Sequence, residues 1–116
     1  MKETIKTIME WHEETFPGAT LTGQIKKFLE EAREYNQNPS VDELVDMYIV
    51  ACGVARFNSL MAMKYFGLVK RLQKNTRGAG VKNFHSAVYK KMKKNRNRVW
   101  GKSGDGVYHH QLGIED

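Results

Sequence analysis

The sequence predicts an all-α fold, a four-helix bundle within a single domain of residues 1–116. Three observations favour this fold class. Apolar residues recur with helical spacing, no segment alternates polar and apolar residues as a strand does, and Ser40 with Glu43 forms a capping-box pattern at a helix start. A chain of this length can bury one modest hydrophobic core.

Four helices are predicted, over residues 3–15, about 20–35, 41–67 and 82–98. Thr20 or Thr22 is the expected N-cap of the second helix, and Ser40 is that of the third. The stretch from Met47 to Ala55 is apolar on nearly all sides, so it is predicted to lie at the centre of the bundle or at an oligomer interface. The glycine-rich tail, about 101–116, is predicted to be irregular.

Composition excludes several classes of protein. The longest strongly apolar stretch, residues 47–55, is far shorter than the ~20 residues needed to cross a bilayer. The N-terminus lacks the apolar segment of a signal peptide, and the single cysteine, Cys52, cannot form an intramolecular disulfide. We therefore expect no membrane partner and a cytoplasmic location.

The net charge of +6 conceals a division of the chain into an acidic part and a basic part. Residues 1–46 carry ten of the thirteen acidic residues, whereas residues 47–104 carry none. Thirteen basic residues lie between Lys64 and Lys102. A polyphosphate bound together with a metal ion would complement both parts.

Two acidic pairs are the main candidate site. Glu31 with Glu34, and Glu43 with Asp46, each have an i, i+3 spacing that places both carboxylates on one face of a helix. The pairs lie on consecutive predicted helices joined by a short turn, so antiparallel packing would bring four carboxylates together around a hard divalent cation. A solvent-exposed helix face, or for Glu43 a capping box, explains the same residues without a metal.

A basic stripe forms the second candidate site. Lys91, Asn95 and Arg98 are spaced by four and three residues, which places them on one face of the predicted fourth helix. Lysine and arginine suit phosphate oxygens, as a point charge and a bidentate fork respectively. Crowded basic residues also suit the phosphates of a nucleic acid, so the stripe by itself leaves both ligands open.

Two further residues are candidates for contacting a base. Trp11 could stack on a nucleobase, and Gln24 could hydrogen-bond to it. Packing of Trp11 in the core of the first helix is the alternative interpretation.

The acidic motifs resemble those of a known enzyme family. Glu30-Glu31-x-x-Glu34 followed by Glu43-x-x-Asp46 is similar to the signature of the all-α nucleoside triphosphate pyrophosphohydrolases, the MazG-like and dimeric dUTPase superfamily. Lys91-x-x-x-Asn95-x-x-Arg98 is similar to the phosphate-contacting segment of that superfamily. The chain more closely resembles the small phage-type dATP/dGTP pyrophosphohydrolases in three segments: Trp11-His12-Glu13-Glu14-Thr15-Phe16, Gly23-Gln24 and the ending around Trp100-Gly101.

The resemblance implies an enzyme that hydrolyses (deoxy)nucleoside triphosphates, with dATP and dGTP as the leading substrates, to a nucleoside monophosphate and pyrophosphate. It implies Mg2+ as the cofactor, with Mn2+ as a substitute, and a homodimer or homotetramer. The implied roles follow the motifs: Glu30 as the catalytic base or outer ligand; Glu31, Glu34, Glu43 and Asp46 as metal ligands; and Lys91, Asn95 and Arg98 as phosphate ligands. If a phage encodes the protein, the expected cytoplasmic location is the cytoplasm of the host.

Two other functions compete with this interpretation. A small basic protein that binds nucleic acid through the 82–98 helix would show steep salt dependence and no need for the acidic motifs. A catalytically silent interaction module is disfavoured, because such a protein gains nothing from clustered carboxylates. Because the acidic motifs favour the enzyme, nucleic acid is not the expected partner.

Overall fold

The computed structural model describes residues 2–102 and 108–110, and helices dominate them. Five helices are followed by two short strands: α1 (Ile5–Thr15), α2 (Leu21–Gln37), α3 (Val41–Ala55), α4 (Ser59–Lys74), α5 (Val81–Arg96), β1 (Trp100–Lys102) and β2 (Tyr108–His110). The predicted all-α class is confirmed. No helix in these two ranges combines the length and apolar character needed to cross a bilayer.

Helix α3 is the centre of the fold, as its apolar sequence predicts. It packs against α1, α2, α4 and α5. Its buried residues face in all directions and include Leu44, Val45, Met47, Cys52 and Val54, each of which is at most 1 % exposed. Burial of such side chains, worth about 1.5–3 kcal/mol each, holds the other helices around α3.

The structure confirms the N-caps predicted at Thr20 and Ser40. The Thr20 hydroxyl accepts a hydrogen bond from the Gly23 N–H at 3.0 Å, and the Ser40 hydroxyl accepts one from the Glu43 N–H at 3.3 Å. Only residues 38–40 separate α2 from α3, so the two helices form a closely packed antiparallel hairpin.

The prediction of one long third helix over residues 41–67 is wrong. Helix α3 ends at Ala55, and α4 begins at Ser59 after a turn. The Asn58 side chain accepts a hydrogen bond from the Met61 N–H at 3.0 Å, which caps α4. Asparagine is a strong N-cap residue, and this signal was overlooked inside an otherwise helical pattern. The bundle therefore has five helices rather than four.

The prediction of an irregular tail is also corrected where the structure describes it. Strands β1 and β2 pair antiparallel, with Trp100 opposite His110 and Lys102 opposite Tyr108. Three-residue strands are too short to produce a recognisable alternation in sequence. Residues 103–107 and 111–116 lie outside the described part of the chain.

Close helix packing depends on Gly53 in α3. A Cβ at this position would lie 2.6 Å from His12 Nε2 and 2.7 Å from Gln24 Oε1. Both neighbours are buried, so they have little room to move away. In contrast, a Cβ on Gly67 of α4 would meet no atom within 4 Å among the residues described.

These two glycines make a matched pair for testing the packing. We expect Gly53→Ala to lower the free energy of unfolding by about 1–3 kcal/mol, because the added methyl group overpacks the junction of α1, α2 and α3. Gly67→Ala should raise it by up to about 1 kcal/mol through helix propensity alone. Urea denaturation of both variants measures the difference; equal effects would contradict the close approach at Gly53.

Candidate functional site

Three glutamates of the predicted acidic site come together near the turn of the α2–α3 hairpin. Glu31, Glu34 and Glu43 each place one carboxylate oxygen within 4.8 Å of those of the other two. Glu34 and Glu43 flank the turn, and Glu31 lies one helical turn before Glu34. The antiparallel packing and the i, i+3 spacing together produce this carboxylate cluster.

Glu31 is the buried member of the cluster. Its Oε2 lies 3.2 Å from Lys27 Nζ, while its Oε1 is buried without a hydrogen-bond partner among the described residues. Burial, followed by the charge of Asp46, raises the pKa of Glu31 to about 7, and the neighbouring Lys27 offsets only part of this rise. An unpartnered buried carboxylate oxygen is costly unless a cation or a proton satisfies it.

The two acids of α3 differ: Glu43 belongs to the cluster, whereas Asp46 borders it. Burial, and then the charges of Asp46 and Glu34, raise the pKa of Glu43, whose carboxyl also shares a hydrogen bond with Glu34. Burial likewise raises the pKa of Asp46 against the opposing effect of Lys91. The Asp46 Oδ1 lies 3.3 Å from Lys91 Nζ, so this carboxylate lies outside the three-residue group and is paired with a lysine of α5.

Glu30 does not join the cluster. It is only partly exposed on α2, and it is absent from the group formed by its neighbours. Its catalytic role stays a prediction.

The structure separates the three residues of the predicted phosphate-binding stripe. Lys91 and Asn95 lie on α5, but Arg98 lies beyond its end, because the chain tightens into i→i+3 hydrogen bonds at Asn97 and Arg98. The predicted helix end at residue 98 is therefore two residues too late, while the phosphate-binding role of the three residues stays a prediction. Arg98 instead turns back, and its Nη1 donates to Asn95 Oδ1 at 3.2 Å.

Asn95 is enclosed rather than open to a ligand. It is 6 % exposed, its amide group contacts Met92 Sδ at 3.9 Å, and its backbone carbonyl accepts from the Trp100 indole N–H at 3.1 Å. The Nε of Arg98 is buried and has no hydrogen-bond partner within the described ranges. Asn95 thus positions Arg98, whose guanidinium retains an unused donor.

Trp11 lies in an aromatic cluster between α1 and the start of β1. Its ring centroid lies 5.3 Å from that of Phe16 and 6.1 Å from that of Trp100, in edge-to-face arrangements. Trp11 is 8 % exposed, which matches the core-packing interpretation of this residue. Its predicted contact with a base stays a prediction.

Gln24 belongs to a buried polar group that sequence reasoning did not identify. Its side chain hydrogen-bonds to His12, whose Nδ1 lies 2.8 Å from Arg56 Nη1. Because arginine can only donate, His12 Nδ1 accepts and Nε2–H is left to donate to Gln24. Arg56 Nη1 also donates to the Phe16 carbonyl at 3.1 Å, so this group ties the end of α1 to the end of α3.

The sequence offered a partial signal for this group. His12 follows Ile8 by four residues and Trp11 by one, which places it on the buried side of α1. Nothing in the linear sequence indicates that Arg56, forty-four residues later, satisfies it.

A groove of about 430 Å³ runs beside the carboxylate cluster. One wall is the face of α5, and the other is the start of α3. Its lining residues are Asp42, Asn83, Ser86, Ala87, Lys90, Lys91 and Lys94. The lysines were recognised in the sequence as part of a basic helix, but Asn83 and Ser86 were not singled out, because a groove wall depends on tertiary packing.

Comparisons with known proteins give one structural likeness. No protein-family model matches the sequence, and no curated protein matches it. The chain is similar to the cyanophage S-2L MazG-like pyrophosphohydrolase, whose solved structure holds dGDP and three catalytic Mn2+ ions per active site. The identity is 21 %, the match covers 97 % of each chain, and the TM-score is 0.40. What this chain does is therefore inferred from its own residues.

The His12 group predicts a pH-dependent stability. Burial, together with the charge of Arg56, lowers the pKa of His12 from 6.5 to about 4. The unfolded chain therefore binds a proton between these values and the folded chain does not, so stability falls as pH falls from 6.5 to 4. We expect this group to contribute a loss of up to about 3 kcal/mol, and His12→Gln to remove that contribution.

Urea denaturation at pH 7 and pH 4.5 measures this loss. The exposed His85 supplies the control, because His85→Gln should keep the wild-type dependence. An unchanged pH dependence in His12→Gln would contradict the assignment of the buried neutral imidazole.

Proposed function

We propose that this protein is a Mg2+-dependent nucleoside triphosphate pyrophosphohydrolase, which releases a nucleoside monophosphate and pyrophosphate. The observation that carries the proposal is the carboxylate cluster of Glu31, Glu34 and Glu43, within which a buried oxygen of Glu31 has no partner in the described residues. Lys91 of α5 lies 3.3 Å from Asp46, which follows the cluster residue Glu43 by three positions in α3. An acidic centre next to a basic helix suits a cation-bound polyphosphate.

The donor set fits a hard divalent cation. Glu31, Glu34, Glu43 and Asp46 would hold it, and they offer carboxylate oxygens only, the ligands that Mg2+ and Mn2+ prefer over softer metals. A bound cation supplies Lewis-acid polarisation of a phosphoryl group and favours a nucleophilic hydroxide at neutral pH. The raised pKa values of Glu31, Glu43 and Asp46 reflect the repulsion and burial that such a charge would relieve.

The chain's own residues would position the substrate. Lys91, which pairs with Asp46 at 3.3 Å, would donate to a phosphate oxygen of the substrate. Arg98, held by Asn95, offers its unused Nε–H to a phosphate. We assign Glu30 as the residue that accepts a proton from the attacking water.

We further propose a deoxynucleoside triphosphate, dATP or dGTP, as the preferred substrate, with Trp11 and Gln24 shaping the base pocket. Both residues are buried, so they would act by fixing the floor of that pocket through their contacts with Phe16 and His12. A homodimer or homotetramer in the cytoplasm is the proposed working form.

The first prediction concerns Glu34, the exposed member of the cluster. Glu34→Gln should lower turnover by about a hundredfold or more, because removing one pre-positioned electrostatic contact to a reacting centre has effects of that size. The helical circular dichroism spectrum should stay unchanged. A panel of ribo- and deoxynucleoside triphosphates with Mg2+, analysed for monophosphate and pyrophosphate, measures turnover.

Glu13→Gln is the matched control, since Glu13 is an exposed glutamate of α1 outside the cluster. It should retain wild-type turnover. Wild-type turnover in Glu34→Gln would disprove the metal-site assignment, and inorganic phosphate with a diphosphate product would show that a different bond is cleaved.

A further prediction concerns the protons that Glu31 releases when a metal ion binds. Because the pKa of Glu31 is raised to about 7, this carboxyl is largely protonated at pH 6 without a cation and ionised at pH 8. Binding of Mn2+ should therefore release more protons at pH 6 than at pH 8, with tighter binding at the higher pH. Calorimetry in two buffers of different ionisation enthalpy counts the protons; equal release at both pH values would contradict the protonated state of Glu31.

A further inference from the structure

We infer that the groove between α5 and the start of α3 is an anion subsite that holds a diphosphate group, through Lys90 and Lys94 together with Asn83 and Ser86. None of these four residues belongs to the stripe that the sequence predicted for phosphate binding. The identity of the ligand as the terminal two phosphates of a nucleotide, or the pyrophosphate released from it, rests on the proposed function.

The lining of the groove has the chemistry of a phosphate site. Lys90 and Lys94 are one helical turn apart, and Asn83 and Ser86 continue the same face of α5 towards its N-terminus. Three lysines, counting Lys91, face a single carboxylate across the groove. Ammonium, amide and hydroxyl groups all donate hydrogen bonds to phosphate oxygens.

The predicted stripe cannot provide this site by itself. Asn95 is buried, and its side-chain oxygen is occupied by Arg98. The open face of α5 is the neighbouring one, where Lys90 and Lys94 are exposed and line a volume of about 430 Å³. A phosphate can therefore reach the groove without displacing a buried side chain.

Lys91 connects the groove to the carboxylate cluster. Its ammonium group lies 3.3 Å from Asp46, and the same residue lines the groove. Lys91 is therefore shared between the groove and the acidic residues of the proposed site.

The acidic wall of the groove favours a short anion over a nucleic acid. Asp42 lines the groove, and Glu43 of the cluster is the next residue in α3. A polynucleotide backbone extending beyond the groove would meet these carboxylates, which repel it. A diphosphate has no backbone that extends beyond the groove, so it is repelled less by these carboxylates than a polynucleotide is.

The test uses inorganic diphosphate itself, with Mg2+, and compares the wild-type chain with two variants by calorimetry. The double variant Lys90→Gln/Lys94→Gln removes both exposed charges, and Lys93→Gln removes an exposed lysine of α5 that does not line the groove. We expect the double variant to bind diphosphate about tenfold or more weakly than wild type, because each lost charge-assisted hydrogen bond weakens binding severalfold. Lys93→Gln should bind as wild type does.

Three results would overturn the inference. The first is a wild-type protein that does not bind diphosphate, and the second is a double variant that binds it as tightly as Lys93→Gln. The third is tight oligonucleotide binding that depends on Lys90 and Lys94 and that diphosphate fails to compete, which would assign the groove to nucleic acid.

The same measurements keep this inference distinct from the proposed function. Diphosphate binding that requires Lys90 and Lys94, in a protein without nucleotide turnover, would establish the groove and refute the enzyme. Turnover that requires Glu34, with diphosphate binding that ignores the two lysines, would establish the enzyme and refute the groove.

Discussion

The main constraint on the structure is the repulsion between carboxylates that lie close together at the α2–α3 hairpin. Two ionised carboxylates 4.8 Å apart, the upper limit within the cluster, repel each other by roughly 3 kcal/mol at an effective dielectric constant of about 20. Each large apolar side chain buried on α3 contributes a stabilisation of about 1.5–3 kcal/mol. Five such side chains of α3 are buried, and four other helices pack around α3, so apolar burial holds the carboxylates in place.

Helix α3 couples this constraint to the rest of the molecule. Its first turns carry Glu43 and Asp46, and its last turn carries Gly53, against which His12 and Gln24 pack. The first turns of α3 therefore carry polar groups and its last turn packs against polar groups of α1 and α2, while apolar packing fixes its middle. A shift of α3 that relieved the repulsion at one end would open the junction at Gly53.

Local signals in the sequence were sufficient for much of the fold. The N-caps at Thr20 and Ser40, and the apolar stretch that becomes the middle of α3, are properties of neighbouring residues. The break before α4 was missed because the flanking residues are helix-compatible and only Asn58 marks it. Strand β1 was missed because its existence depends on pairing with β2, not on its own three residues.

The candidate site shows the same division between local and tertiary information. Spacing alone placed Glu31 with Glu34 and Glu43 with Asp46, and a three-residue turn brings Glu43 to the first pair, while Asp46 pairs with Lys91. Spacing failed for Arg98, because the end of α5 depends on hydrogen bonds at Asn97 that periodicity cannot reveal. The groove beside Lys90 required two helices to be packed before it existed at all.

Burial distinguishes the competing explanations of the acidic motifs. A solvent-exposed helix face would leave the glutamates hydrated, whereas Glu31 is 6 % exposed and its pKa is raised to about 7. A capping box accounts for the backbone N–H of Glu43, which bonds to Ser40, but it does not explain why the Glu43 carboxyl meets Glu34. Lys27 pairs with Glu31 and Lys91 with Asp46, but the pKa values of Glu31 and Glu43 stay raised. Glu31 Oε1 is left buried with no hydrogen-bond partner among the described residues, in the group that it forms with Glu34 and Glu43. A proton or a divalent cation would satisfy this oxygen.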